Sequence, residues 1–448
     1  MSSAENPAPS AASPVSAADI TSAAARIAEV IEATPLKYCE RLSEETGARV
    51  YLKREDQQAV RSYKIRGAFN CMVQLSAAER DAGVVAASAG NHAQGVAFAC
   101  RKLGITGRIY VPTNTPKQKR DRIVARGGEF VELVLTGQTY DAAAAAAAED
   151  AARTGATLVP PFDHPATIAG QGTVAAEIID QLGRAPDTVV VPVGGGGLIA
   201  GITAYLAEQA PQVAVIGVEP QGAASMTAAL AAGGPVTLSE VDPFVDGAAV
   251  RRIGDLPYRI VSGAGAEVIT HSSLPLVTAV VPAGDRGGVS LSQVGEGAVC
   301  TAMLDLYQNE GVIAEPAGAL GVAALEGLEL VPGSTVVVVI SGGNNDVSRY
   351  GEILERSLVH QGLKHYFLVD FPQEPGALRM FLDQVLGPDD DITLFEYVKR
   401  NNRETGAALV GIELGAPEDL EALRARMESS PMDVERLVPG SPAYRYLT

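Results

Sequence analysis

Three observations predict an α/β fold on a parallel sheet, followed by a small ferredoxin-like domain. Short β-branched runs alternate with Ala-rich helical runs as far as about residue 362, the pattern of parallel strands covered by helices on both faces. Beyond that point the order becomes β-α-β-β-α-β. Hydrophobic residues make up 47% and charged residues 20% of the 448-residue chain, so a packed core is expected.

In chain order, residues 1–18 mix Ser, Ala, Pro, Glu and Asn without a basic start or an apolar stretch, and read as a disordered leader, not a secretory signal. Gly83 to Ala87 predicts a buried strand, Ala93 to Leu103 a helix and Arg108 to Val111 the next strand. Lys117 to Arg126 predicts a charged helix and Phe130 to Val134 a strand. The run Ala142 to Ala148 between acidic ends reads as helix, since Ala is the best helix former. Thr188 to Val193, Val213 to Val218 and Val336 to Ile340 are strand-like, and each leads into a helix or glycine turn. In the tail, His365 to Phe371, Ile392 to Val398, Ala407 to Leu414 and Val434 to Val438 predict strands, with a turn near Asn401-Asn402. Pro375 to Leu386 and Glu418 to Met427 predict helices.

Composition excludes several function classes. The net charge of −18 argues against a nucleic-acid backbone or an anionic membrane surface as partner. Cys39, Cys71, Cys100 and Cys300 form no C-x-x-C pair and no zinc spacing, which suits free thiols in a reducing cytoplasm. Thr188 to Ala207 is uncharged and long enough to span a bilayer, but Pro192 and four consecutive glycines argue for strand, turn and helix instead.

Four segments could carry chemistry. In Arg61-Ser62-Tyr63-Lys64-Ile65-Arg66-Gly67, a lysine at a helix start, if partly buried, becomes a nucleophilic amine; from this segment alone a surface lysine is the stronger reading. Ser88-Ala89-Gly90-Asn91-His92 follows a strand, and its small residues and helix amides suit a carboxylate; a tight turn with a packed His92 is the plainer alternative. Gly194-Gly195-Gly196-Gly197 has the form of a phosphate cradle. The same stretch, as Gly195-x-Gly197-x-x-Ala200 with Glu219 downstream, also matches a dinucleotide fingerprint, so an oxidoreductase competes. Ser341-Gly342-Gly343-Asn344 ends a strand, where a hydroxyl points into the ligand crevice of a parallel sheet or simply caps a turn.

In this order the segments resemble the fold-type II (tryptophan synthase β-like) pyridoxal-phosphate enzymes. The nearest resemblance is to the biosynthetic threonine dehydratases (threonine ammonia-lyases). It includes Thr34-Pro35-Leu36, Leu52-Lys53-Arg54-Glu55-Asp56, Gly170-Gln171-Gly172-Thr173, Val245-Asp246-Gly247-Ala248-Ala249-Val250 and Glu315-Pro316-Ala317-Gly318-Ala319. The tail resembles the ACT-like regulatory module of those enzymes.

The resemblance implies a catalytic domain over residues 19–362, built of two α/β subdomains with the smaller at about 63–165, and a regulatory domain over 363–448. It implies pyridoxal 5'-phosphate as cofactor, with Lys64 as its Schiff-base lysine, Asn91 on the ring 3'-oxygen, Gly194, Gly195, Gly196 and Gly197 on the phosphate and Ser341 at the ring nitrogen. Ser88, Ala89, Gly90, Asn91 and His92 would receive the substrate carboxylate. L-threonine would lose water to give 2-oxobutyrate and ammonia, the first step towards isoleucine, and L-serine would also react. Isoleucine is the implied inhibitor and valine a possible activator, with Phe371, Glu374, Gly376 and Leu378 as the candidate effector site. A homotetramer is implied.

Related serine racemases carry a second serine at position 89; Ala89 cannot transfer a proton, so racemisation is disfavoured. Ser225 replaces an acidic metal ligand of those racemases, so no metal site is expected. Serine racemase, threonine synthase and a non-catalytic amino-acid sensor remain the rival readings.

Overall fold

The computed structural model describes residues 13–268, 279–280, 287–397, 404–438, 441 and 444. It divides into two compact units, Met1–Asn345 and Asp346–Thr448. The boundary lies before residue 362, because the helix Tyr350–His360 belongs with the second unit.

The first unit holds two parallel sheets. β1 (Leu36–Tyr38) and β2 (Arg49–Arg54) open a large sheet, and β3 (Val84–Ala87), β4 (Gly107–Val111), β5 (Val131–Leu135) and β6 (Thr157–Leu158) form a small one in the order β5-β4-β3-β6. The chain then returns to the large sheet with β7 (Thr188–Pro192), β8 (Ala214–Pro220) and β9 (Glu267–Val268). β10 (Ala279–Val280) pairs apart, with β12 (Leu328–Glu329). β11 (Val289–Val294) and β13 (Thr335–Ile340) complete the large sheet in the order β1-β2-β13-β7-β8-β11-β9. All its pairs are parallel except β1 with β2. Every residue of β7 and β13 is buried, which is why these strands read as unbroken apolar runs and not as an alternation.

Helix boundaries follow their caps. The alanine run lies within the helix Tyr140–Thr154, which begins at a Thr139 side-chain cap and stops at Gly155 in the left-handed region. Its Ala143 and Ala147 pack on Val85, Ala87 and Tyr110 of the small sheet. The leader expected over residues 1–18 ends too late. Ser16 forms a capping box with Asp19, the helix Ala17–Ile27 starts there, and Val15, Ala17 and Ile20 are buried. Residues 1–12 lie outside the described residues.

Glycines bring the elements of the site together. The lysine helix (Lys64–Val73) crosses the long helix Pro165–Leu182 where a Cβ on Gly170 would stand 2.7 Å from the Gly67 Cα. On the other side, a Cβ on Gly172 would stand 2.8 Å from the Gly201 carbonyl oxygen of the helix Gly197–Gln209. Any larger side chain at either crossing would push the lysine away from the glycine loop.

The second unit carries β14 (Lys364–Pro372), β15 (Asp391–Tyr397), β16 (Thr405–Glu413) and β17 (Asp433–Leu437) in one antiparallel sheet, ordered β15-β16-β14-β17. With the helices Ala377–Gln384 and Asp419–Ser429 this is the expected ferredoxin-like order, around Phe367, Phe371, Phe381, Val410 and Leu423. The first helix starts two residues later than the sequence suggests, because Gly376 at φ 100° occupies its N-cap. The turn near Asn401-Asn402 and the end of its strand at Val398 lie outside the described residues.

Candidate active site

Lys64 opens its helix with its amine at the junction of the two sheets. Nζ donates to the Pro161 carbonyl at 2.9 Å and lies over the Tyr63 and Phe162 rings. Burial pushes the amine down to about 8, against the opposing pull of Glu315. Two residues on, Arg66 anchors the helix in a buried ionic network. It pairs with Glu55 at 2.8 Å and with Glu177 at 2.5 Å, and Lys53 joins Glu177 at 2.6 Å. Removing one member would strand buried charge, so the network holds the lysine helix rigidly.

The segment Val159-Pro160-Pro161-Phe162 is the other wall. Its carbonyls are taken in turn by His92 Nε2 at 2.8 Å, Thr167 Oγ1 at 3.2 Å and Lys64 Nζ. A carbonyl only accepts, so His92 Nε2 carries the proton and Nδ1 is an acceptor, buried and without a hydrogen-bond partner. Burial, then Lys64, push the imidazole down to about 3. His92 is therefore a neutral, packed residue, and its side chain faces Val159. Of the asparagine loop, Ser88 Oγ accepts the Gly90 N–H at 3.2 Å, while Ala89, Gly90 and Asn91 are partly exposed at the start of the helix Asn91–Leu103.

The tetraglycine joins β7 to the helix Gly197–Gln209. Gly196 sits at φ 85°. A Cβ at Gly195 would enter the Phe162 ring, and one at Gly194 would stand 2.8 Å from the Ala248 Cα. The loop therefore lies with bare backbone against both walls, and the first-turn amides of its helix have no intrahelical acceptor. This is a cradle that side chains would fill, and it fits a phosphate. The dinucleotide alternative loses its acidic residue. Glu219 is fully buried and accepts the Met226 and Thr227 N–H groups and the Thr227 hydroxyl, so its carboxylate caps the helix Ser225–Ala232. Ser225 is buried beside it, and among the described residues no group of three His, Cys, Asp or Glu is placed to hold a metal ion.

Sequence reasoning gave Asn91 a role and left Glu315 and Asn344 without one. Asn91 Nδ2 donates to Glu315 Oε1 at 2.5 Å, and Asn344 Nδ2 donates to Asn91 Oδ1 at 2.8 Å. Burial, then Asp246, push Glu315 up to about 7, against the hydrogen bonds from Asn91 and Asn344 and the charge of Lys119. Ser341 is buried one residue before Gly342, its hydroxyl donating to the Ala317 carbonyl at 3.3 Å. Glu315 and Asn344 were visible only as parts of glycine-containing motifs, and Phe162 only as the residue after two prolines.

The chain as a whole matches known proteins. Residues 27–342 match the pyridoxal-phosphate dependent enzyme family, and residues 355–447 match the C-terminal regulatory domain of threonine dehydratase. L-threonine dehydratase biosynthetic IlvA of Mycobacterium tuberculosis is 68% identical over 433 residues, covering 97% of this chain and 96% of that protein. The chain belongs to the biosynthetic threonine dehydratases. The Corynebacterium glutamicum protein of the same name is 63% identical over 437 residues, covering 97% of this chain and 95% of its own length. Among solved structures, the processed form of threonine deaminase isoform 2 from Solanum lycopersicum aligns with TM-score 0.67 and 37% identity, over 76% of this chain and 92% of that one. Maize serine racemase aligns with TM-score 0.65 and 28% identity, over 77% and 98%. This dehydratase thus pairs a pyridoxal-phosphate catalytic domain with a regulatory domain.

The expected effector set divides within that regulatory domain. Phe371 is buried and stacks edge-on against Phe381, Phe395 and Tyr397, so its ring is part of the apolar core. Glu374, Gly376 and Leu378 are exposed at the start of the helix Ala377–Gln384. No helix among the described residues is long and apolar enough to cross a membrane.

Proposed function

We propose that the protein converts L-threonine to 2-oxobutyrate and ammonia, takes L-serine as a second substrate, and is inhibited by isoleucine through its regulatory domain, with valine as antagonist. The observation that carries the catalytic reading is a half-buried lysine, its amine pushed down to about 8 and bonded to the Pro161-Phe162 wall on which the bare glycine loop packs.

Pyridoxal phosphate supplies an electron sink for the electrons left when the substrate loses its Cα proton. The chain's own residues do the rest. Gly194 to Gly197 and the amides of their helix would hold the phosphate without a basic side chain. Lys64 would carry the cofactor and, once displaced by substrate, take the Cα proton at Nζ; an amine near 8 is partly neutral at physiological pH. The Pro161 carbonyl gives that amine a fixed acceptor. Ala89 and Gly90 leave the N-terminus of the asparagine helix open to the substrate carboxylate, and Ser341 would meet the ring nitrogen.

Ala89 has no proton to give, which leaves one face of Cα without a donor and directs the chain to elimination over racemisation. A homotetramer in the cytoplasm is part of this proposal. The deciding experiment follows 2-oxo acid from L-threonine with and without isoleucine. Turnover that isoleucine suppresses supports the proposal, and no product from threonine defeats it. With L-serine, chiral chromatography is expected to show pyruvate and no D-serine.

A further inference from the structure

We propose that Glu315 is a positioning residue of the reaction: its carboxylate locks the Asn91 carboxamide in one of its two orientations and so decides which atom of that amide faces the cofactor ring. This rests on the function proposed above.

Asn344 Nδ2 lies 2.8 Å from the Val60 carbonyl, which can only accept, so the nitrogen of that amide must point there. The same nitrogen donates to Asn91, which fixes Oδ1 as the Asn91 atom on that side. Asn91 must then turn Nδ2 towards Glu315, and it does, at 2.5 Å from Oε1. The other carboxylate oxygen, Oε2, accepts the Asn344 backbone N–H at 3.1 Å. Two donors thus converge on Glu315, and both of its oxygens are committed. One N–H of the Asn91 amide is used by Glu315, and the second is available to an oxygen on the ring.

The site is built for a carboxylate. Glu315 is 4% exposed and stands at the N-cap of the helix Pro316–Leu325. A Cβ at Gly342 would collide with its Oε1, and one at Gly247 would stand 3.5 Å from the same atom. Its own N–H donates to the Gly342 carbonyl at 3.1 Å, which ties it to the strand end that carries Ser341. Glutamine in this place has one acceptor and one donor. The Asn344 backbone N–H cannot turn, so the glutamine oxygen would have to stay on it and its NH2 would face Asn91. Asn91 would have to flip, and its nitrogen would then oppose Asn344 Nδ2. A near-isosteric substitution therefore breaks the orientation without changing the shape.

The test is Glu315→Gln in the holoenzyme. The expected result is a kcat for threonine lower by roughly 10–100-fold, with KM nearly unchanged. A displaced visible absorbance maximum of the bound cofactor should accompany it, with an unchanged melting temperature as the check on folding. In an Asn91→Ala background, Glu315→Gln should add nothing, because Glu315 acts through Asn91. If Glu315→Gln fails to fold, Glu315→Asp, which keeps the carboxylate but draws it back from Asn91 Nδ2, should shift the same absorbance in the folded protein.

Wild-type absorbance and kcat in Glu315→Gln, losses that multiply in the double variant, or a silent Glu315→Asp would each overturn the proposal. Threonine turnover by the wild type separates the two levels. An inactive wild-type holoenzyme defeats the function reading, whereas an active one with a silent Glu315→Gln defeats this inference alone.

Discussion

Lys64, in its proposed catalytic role, would be prepared at the expense of stability. Its amine has a folded value of about 8 against an ordinary 10.5, with burial as the largest cause. Below pH 8 both folded and unfolded chains hold the proton, and the folded chain bears the full cost of burying the charge. Between 8 and 10.5 only the unfolded chain holds it, so stability rises with pH. The shift corresponds to about 3 kcal/mol at most. Lys64→Met, stripped of cofactor, should therefore melt higher than the stripped wild type at pH 7, and the gap should close as the pH approaches 10.5. A lower melting temperature for the variant at pH 7 would contradict this. The same substitution in the loaded protein should cut threonine turnover by at least about 10³-fold, since nucleophile and base are lost together. Gly195 makes a complementary case. Alanine there must displace the Phe162 ring, so Gly195→Ala should lose its hold on pyridoxal phosphate, read as cofactor passing through on gel filtration, while the sheet around it stays folded.

At the scale of elements, a buried helix cap adds a second pH dependence. Glu219 accepts three hydrogen bonds at the start of the helix Ser225–Ala232, and burial still pushes it up to about 7 from 4.5. Its contribution is present in full below 4.5 and is lost as pH rises through 7, because the folded chain binds the proton that the unfolded chain has released. Glu219→Gln has no such loss. The difference in unfolding free energy should move in the variant's favour by up to about 3 kcal/mol between pH 5 and pH 8, measured by urea titration at the two pH values. A difference independent of pH would show that Glu219 keeps its charge at little cost.

Strands and helices of this kind were legible in the sequence because period and composition act locally. The β7 and β13 runs and the alanine helix were found from those signals. The buried pairing of Arg66 with Glu55 and Glu177 was not. Neither was the meeting of Asn91, Glu315 and Asn344, which lie 224 and 253 residues apart along the chain and come together only when the sheets form. The lysine, the tetraglycine and Ser341 were singled out from local sequence, and resemblance supplied only their expected roles. The candidate effector set included Phe371, whose ring lies in the apolar core, because a motif does not say which way a side chain turns.

The whole molecule joins an acidic surface to a phosphate cofactor without conflict. A net charge of −18 would repel a free phosphate, yet the cradle is uncharged backbone at a helix N-terminus and needs no basic patch. The two units divide the work. The first, Met1–Asn345, contains every group placed in the chemistry, and the second, Asp346–Thr448, has its own sheet and its own apolar core. An effector on the second can act on the first only by binding one conformation more tightly than another. A coupling of about 1–3 kcal/mol, typical of such systems, corresponds to a change of roughly 5–150-fold in affinity. A chain ending at Asn345 removes the effector domain and keeps the catalytic groups. It should fold, bind pyridoxal phosphate and form 2-oxobutyrate from threonine, and its rate should not respond to isoleucine at concentrations that suppress the full chain. Suppression that survives the truncation would place the effector site in the catalytic unit. Loss of all turnover in a truncated protein that still binds cofactor would mean that the regulatory domain is needed to hold the catalytic unit in its active conformation.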